Sequence, residues 1–188
     1  MKSCLIVIDA QESFRHRPFF TEHDVPAYLA AQNALIQGCV AQQVPTVPVV
    51  RVFHTGGPDS ASNPFAAASG LVRPFTGLQA FDAAATFTKT RHSALVDTGL
   101  GVWLTQHGIQ RLLISGIRTE QCCETTTRHA SDLGWQVDFV TDATLTWDMR
   151  QPDGQTLPAS AIKMRTATVL AERFATLCSV DEVLARLE

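Results

Sequence analysis

Residues 111–134 read RLLISGIRTEQCCETTTRHASDLG. The apolar residues Leu112, Leu113 and Ile114 run without polar alternation, which is how a strand covered on both faces reads. Residues 111–116 are therefore a buried strand. After a short turn, 120–133 reads as a helix, and Gly134 stops it. Working outward, 4–8 (CLIVI) is a second strand of the same kind, ending in Asp9. Residues 45–52 (PTVPVVRV) form another, although Pro48 lacks a ladder donor and belongs at an edge or bulge. Residues 86–89, 136–141 and 176–179 bring the strands to six. Helical spacing of apolar residues, with Pro26 in a first turn, marks 25–43. Further helices are expected over 100–107, 157–174 and 181–187, with loops over 54–79 and 142–155. Strands alternating with helices predict an α/β fold: a three-layer α/β/α sandwich on a six-stranded parallel sheet with right-handed crossovers.

Composition narrows the function. At 188 residues and 45% hydrophobic, the chain suits one globular domain spanning 1–188 and is too apolar for disorder. A net charge of −3 without a basic run argues against nucleic acid as a partner. The first apolar stretch is too short for a signal peptide or membrane span, so no membrane association is expected. Five cysteines (Cys4, Cys39, Cys122, Cys123, Cys178) without regular spacing are not a disulfide framework, which favours a reducing, cytoplasmic setting.

In parallel sheets, ligands bind beyond the carboxyl ends of the strands. Three reactive side chains stand there: Asp9 after the first strand, Lys89 after the third, and Cys122 just past the fourth. A carboxylate, an ammonium and a thiol form a coherent set. The carboxylate can take and return a thiol proton, and a helix end with a cation favours the thiolate. On that basis Cys122 is expected to ionise below the free-cysteine pKa of ~8.5 and to be alkylated before the other four thiols. Each residue taken singly has a plainer reading, as a cap, a solvated charge or a core thiol.

The local motifs are more specific. Asp9 lies in IVIDAQESF (D-x-Q-x-x-F), Lys89 in TKTRHSAL, and Cys122 in ISGIRTEQCCETTTRHASDLG (G-x-x-T-x-x-C-x-x-x-T). Over residues 2–142 the chain resembles the isochorismatase-like cysteine hydrolases, which include nicotinamidases, N-carbamoylsarcosine amidases and ureidoacrylate amidases. The resemblance implies a Rossmann-like fold and an Asp9/Lys89/Cys122 catalytic triad, with Cys122 the nucleophile of a thioester pathway. Asp9 then takes the thiol proton, protonates the leaving amine and activates the water. It also implies a cis peptide at Ile117–Arg118 and an oxyanion hole built from the Arg118 and Cys122 amides. Cys123 falls where the family has a small aliphatic residue, so it reads as core packing.

One departure matters. Nicotinamidases hold a metal through an Asp-x-His motif after the second strand, whereas this chain has Val52-Phe53-His54. Neither a metal nor any other cofactor is expected, and nicotinamide is disfavoured as substrate. The substrate pocket is expected to involve Phe14, Phe19, His54, Gln121 and Trp147, with Arg118 and Met149 near it. Such a pocket suits a small amide, carbamoyl or ureido compound bearing a flat or acidic group. Arg91 and His92 read as solvated residues or a subunit contact. The resemblance also implies a homo-oligomer, dimer or larger. Two other readings remain: vinyl-ether hydrolysis of the isochorismatase type, and a non-catalytic scaffold of the same fold.

Overall fold

Strand β1 (Ser3–Ile8) alternates its side chains between two cores. Cys4, Ile6 and Ile8 enter one apolar cluster, and Leu5 and Val7 enter another on the opposite side. This period of two is what a strand at the middle of a covered sheet requires. The computed structural model describes residues 1–42 and 46–187. Around β1 it builds a six-stranded parallel sheet from β2 (Val49–His54), β3 (Ala85–Lys89), β4 (Arg111–Ile117), β5 (Gln136–Leu145) and β8 (Thr176–Cys178), in the order β3-β2-β1-β4-β5-β8. Helices α1 (Val25–Ala41) and α5 (Val180–Ala185) cover the Leu5 side through Leu35, Ile36, Cys39 and Val183. On the Ile6 side lie α2 (Leu100–Gln106) and α3 (Glu124–Asp132), through Leu100, Leu104 and Ala130. Helix α4 (Ala159–Leu170) adds Leu170 to the same core. The three-layer α/β fold is therefore the one expected. No helix among the described residues is long and apolar enough to cross a membrane.

Several boundaries move. Pro48 stands just before β2, where its carbonyl accepts from the Leu5 N–H at 3.0 Å. It is neither at a sheet edge nor in a bulge, since β2 lies between β1 and β3. The expected end of the first helix at residue 43 and the expected strand start at 45 lie outside the described residues. The segment 142–155 is not a loop throughout. Strand β5 continues to Leu145 past a register shift opposite Ile114 and Gly116, and a small antiparallel pair follows, β6 (Met149–Arg150) with β7 (Thr156–Leu157). Helix α4 is shorter than 157–174. The Asp148 carboxylate accepts the Ala159 N–H at 2.8 Å and sets its start. The helix expected over 120–133 begins instead as a π-helical turn, Thr119–Cys123, and becomes α3 at Glu124.

The strand order reverses beside β1, which leads to β2 on one side while β4 lies on the other. In doubly wound sheets this is where a crevice opens beyond the strand ends. Asp9 follows β1 and Cys122 follows β4, so both rim that crevice.

Candidate active site

Asp9 adopts a left-handed backbone conformation, φ 48°, uncommon for a non-glycine residue. Its N–H still donates to the Val52 carbonyl at 2.8 Å, so the chain leaves the sheet abruptly and the carboxylate stays wholly buried. Lys89 ends β3 in register with His54 of β2. From that edge its side chain reaches across the end of β2, and the ammonium lies 2.7 Å from Asp9 Oδ2 and 3.2 Å from Cys122 Sγ. It also contacts His54 Nδ1 at 3.1 Å and donates to the Arg91 carbonyl at 3.1 Å. Residues 80 and 113 positions apart in sequence order from Asp9 thus meet at one ammonium, because each closes a strand at the same end of the sheet.

Gln11, the middle residue of D-x-Q-x-x-F, holds the other wall. Its side chain accepts the His54 N–H at 2.7 Å and donates to the His54 carbonyl at 3.0 Å, pinning the end of β2. Phe14, the last residue of the motif, meets Phe65 edge-on at 5.1 Å and stacks on Trp147 at 5.8 Å. A cleft of about 380 Å³ opens over these groups. Asp9, Phe14, Phe19, His54, Arg118, Gln121 and Cys122 line it.

Trp147 does not line it. Its indole N–H is bound to the Thr21 carbonyl at 3.0 Å, and the ring lies buried behind Phe14 and Phe19 as their support. Met149 is also absent from the lining and sits on the small β6–β7 pair. Arg17, Asn63, Phe65 and His92 face the cleft and escaped the sequence reading as pocket residues. Asn63 and Phe65 come from the aperiodic segment, whose Asn63 side chain donates to the Gly56 and Pro58 carbonyls at 2.8 and 2.9 Å. The Ile117–Arg118 peptide is cis, as the resemblance implied. The Arg118 guanidinium is engaged by Glu120 at 3.1 Å, by Thr146 and by the Trp147 carbonyl, and lies over Phe19.

Burial raises the Asp9 carboxyl above the usual carboxylate range, opposed by the charge of Lys89. Burial alone would lower Lys89, but the Asp9 carboxylate beside it, with a contribution from Cys122, outweighs burial and raises its pKa, keeping it an ammonium. His54 is pushed down to about 4 by burial and then by the Lys89 charge, so it is a neutral ring accepting at Nδ1. The Cys122 thiol is pushed up, first by burial and then by the Asp9 carboxylate, with Lys89 only partly compensating. The expectation of a thiolate populated below the free-cysteine value is therefore not met. The ammonium is already shared with Asp9, and burial together with that neighbouring carboxylate opposes a negative charge on the sulfur. Alkylation of Cys122 by iodoacetamide is thus expected to be slow near neutral pH and to climb only above ~8.5. Removing the anion with Asp9→Asn should shift that climb to lower pH. Peptide-resolved mass spectrometry checks this, and full reactivity of the unaltered protein below neutral pH would contradict it. Cys122 should still react before Cys4, Cys39, Cys123 and Cys178 because it alone of the five lines the cleft.

Donor atoms of Asp9, His54 and Cys122 lie within 4.8 Å of one another. They do not fit a metal. The Lys89 ammonium is already among them, and a divalent ion would have to expel a buried cation held by several acceptors. Val52, at the position of the nicotinamidase carboxylate, is wholly buried in the apolar core.

The isochorismatase domain model matches residues 3–179 of the chain. The chain belongs to the isochorismatase family. The family protein YrdC of Bacillus subtilis (strain 168) is 26% identical over 97% of this chain and 95% of its own length. Nicotinamidase 3 of Arabidopsis thaliana is 40% identical, over 32% of this chain and 30% of its own. A crystal structure of an isochorismatase-type protein from Burkholderia xenovorans LB400 superposes with a TM-score of 0.87 at 29% identity, covering 98% of this chain and 86% of that one. Within this family of hydrolases, the chain places its own carboxylate and thiol in one cleft, with the buried Lys89 ammonium in contact with both.

Proposed function

We propose that this isochorismatase-family protein is a metal-independent cysteine hydrolase that cleaves the C–N bond of a small amide, carbamoyl or ureido compound through a thioester. The observation that carries the reading is the Lys89 ammonium lying 2.7 Å from Asp9 and 3.2 Å from the Cys122 sulfur at the floor of a cleft. Asp9, made more basic by burial, accepts the thiol proton as Sγ attacks the substrate carbonyl. The new oxyanion faces the Arg118 and Cys122 amides. As the C–N bond breaks, Asp9 returns the proton to the departing nitrogen, and a thioester remains on Cys122. Water then releases the acid and restores the thiol. Throughout, Lys89 balances the negative charge that moves between Asp9 and Cys122.

Activity requires ionised Asp9, so the acid limb of the pH profile falls above the ordinary carboxylate range. A screen of small amides for ammonia or amine release tests the reading, with Cys122→Ala as the blank. Release by the unaltered protein alone supports it, and equal release by both overturns it.

The cleft also suggests what the substrate carries. Phe14, Phe19 and Phe65 offer flat apolar faces, and Arg17 stands exposed at the mouth with no ion pair among the described residues. An acid-bearing amide would meet that guanidinium. Arg17→Ala is expected to raise KM for a carboxylate-bearing substrate about 10-fold, with kcat little changed. Steady-state kinetics on the acid and its neutral methyl ester check this, and an equal effect on both would contradict it.

A further inference from the structure

The proposed cycle needs a proton acceptor twice, once for the thiol and once for the attacking water. In the first half the proton starts on Sγ, next to Asp9. In the second it starts on a water that must approach the thioester from the cleft. Asp9 lines the floor of the cleft but has no exposed surface and is paired with the Lys89 ammonium at 2.7 Å. Lys89 is 1% exposed and, held as an ammonium, cannot act as a base. Besides Asp9 and Lys89, the Cys122 sulfur has a polar side-chain contact with His92, whose Nδ1 lies 3.7 Å from Sγ. His92 is exposed, lines the cleft and stacks nearly parallel to His54, with ring centroids 6.5 Å apart at 19°.

We infer that His92 is the catalytic base of the second half-reaction, a role that rests on the thioester reading above. Its neutral ring takes a proton from water at Nδ1 while the water oxygen bonds to the thioester carbon. The C–S bond then breaks, its electron pair stays on sulfur, and the imidazolium returns the proton to give thiol and free acid. Atoms and charge balance without any further reactant. The charged or titratable groups around the ring are Asp9, Lys89, Cys122 and His54. Asp9 and Lys89 are fixed as a buried ion pair, and His54 is half-buried and held neutral, so the His92 ring is the one of these groups that is exposed to solvent. The division of labour is then Asp9 for thioester formation and His92 for thioester hydrolysis.

p-Nitrophenyl acetate separates the two halves, because its leaving group departs without protonation. The unaltered protein and His92→Ala are each acetylated with it, desalted rapidly, and followed by mass spectrometry as acetyl-Cys122 decays. The expected result is acetylation at similar rates in both, with decay about 10²-fold slower in His92→Ala. Added imidazole should restore the decay in proportion to its free base, which a structural role for His92 would not produce. Unchanged decay in His92→Ala, or slowed decay that imidazole does not restore, overturns the inference and leaves the thioester reading standing. Failure of the unaltered protein to form acetyl-Cys122 overturns both.

Discussion

Cys122→Ala is expected to lower amide turnover by about 10⁶-fold, the scale on which a covalent catalyst loses activity with its nucleophile. The effect should be chemical, since the substitution removes one sulfur from the cleft and leaves the Asp9–Lys89 pair and the aromatic wall in place. Stability should change by less than about 1 kcal/mol, because little volume is lost and the site gives up a polar atom. The neighbouring thiol supplies the control. Cys123 is fully buried in the apolar core and does not line the cleft, so Cys123→Ala should retain turnover and alkylation at Cys122. Turnover by both variants, measured on whichever amide the screen identifies, distinguishes a nucleophile from a packing residue one position away.

Gly116→Ala is expected to cost more than about 4 kcal/mol, enough to threaten folding in a protein whose total stability is ~5–15 kcal/mol. Gly116 has φ +124° and sits opposite Ile8 where β4 runs beside β1. A Cβ there would lie 1.9 Å from the Ile8 carbonyl oxygen and 2.7 Å from the Ile8 carbonyl carbon. Both obstacles are backbone of the central strand, which no rotamer change can clear. Ile8 precedes Asp9, and Gly116 lies at the start of the G-x-x-T-x-x-C motif. Relief of the clash would therefore push apart the strand ends that bring the carboxylate to the thiol. Thermal unfolding by circular dichroism checks this. A variant melting within a few degrees of the unaltered protein would contradict it.

The sheet and the positions of Asp9 and Cys122 were legible in the sequence for a common reason. Apolar runs such as CLIVI and RLLISG carry their own burial signal, and Asp9 and Cys122 closely follow such runs. Where that signal failed, the backbone had departed from a regular period. The second half of β5 was read as loop because a register shift opposite Ile114 and Gly116 interrupts its pairing and polar Asp142 and Thr144 lie within it. The aperiodic segment after β2 has no pattern that could place Asn63 or Phe65, and its loop is held by the Asn63 side chain donating to the Gly56 and Pro58 carbonyls. Trp147 was assigned to the pocket on its chemistry, yet a carbonyl at Thr21, far away in sequence, turns its indole inward. The thiol was expected to ionise easily because helix ends and cations are visible in a sequence. The depth of burial, which together with Asp9 outweighs the cation, is not.

The central claim is that Cys122 carries the acyl group during turnover. Intact-protein and peptide mass spectrometry on samples acid-quenched during steady-state turnover of an active amide tests it most directly. The account predicts a mass increase equal to the substrate's acyl group, confined to the peptide bearing Cys122, absent from Cys122→Ala and prolonged in His92→Ala. Steady turnover of that amide with no adduct in the unaltered protein, and with its rate undiminished in Cys122→Ala, would contradict it.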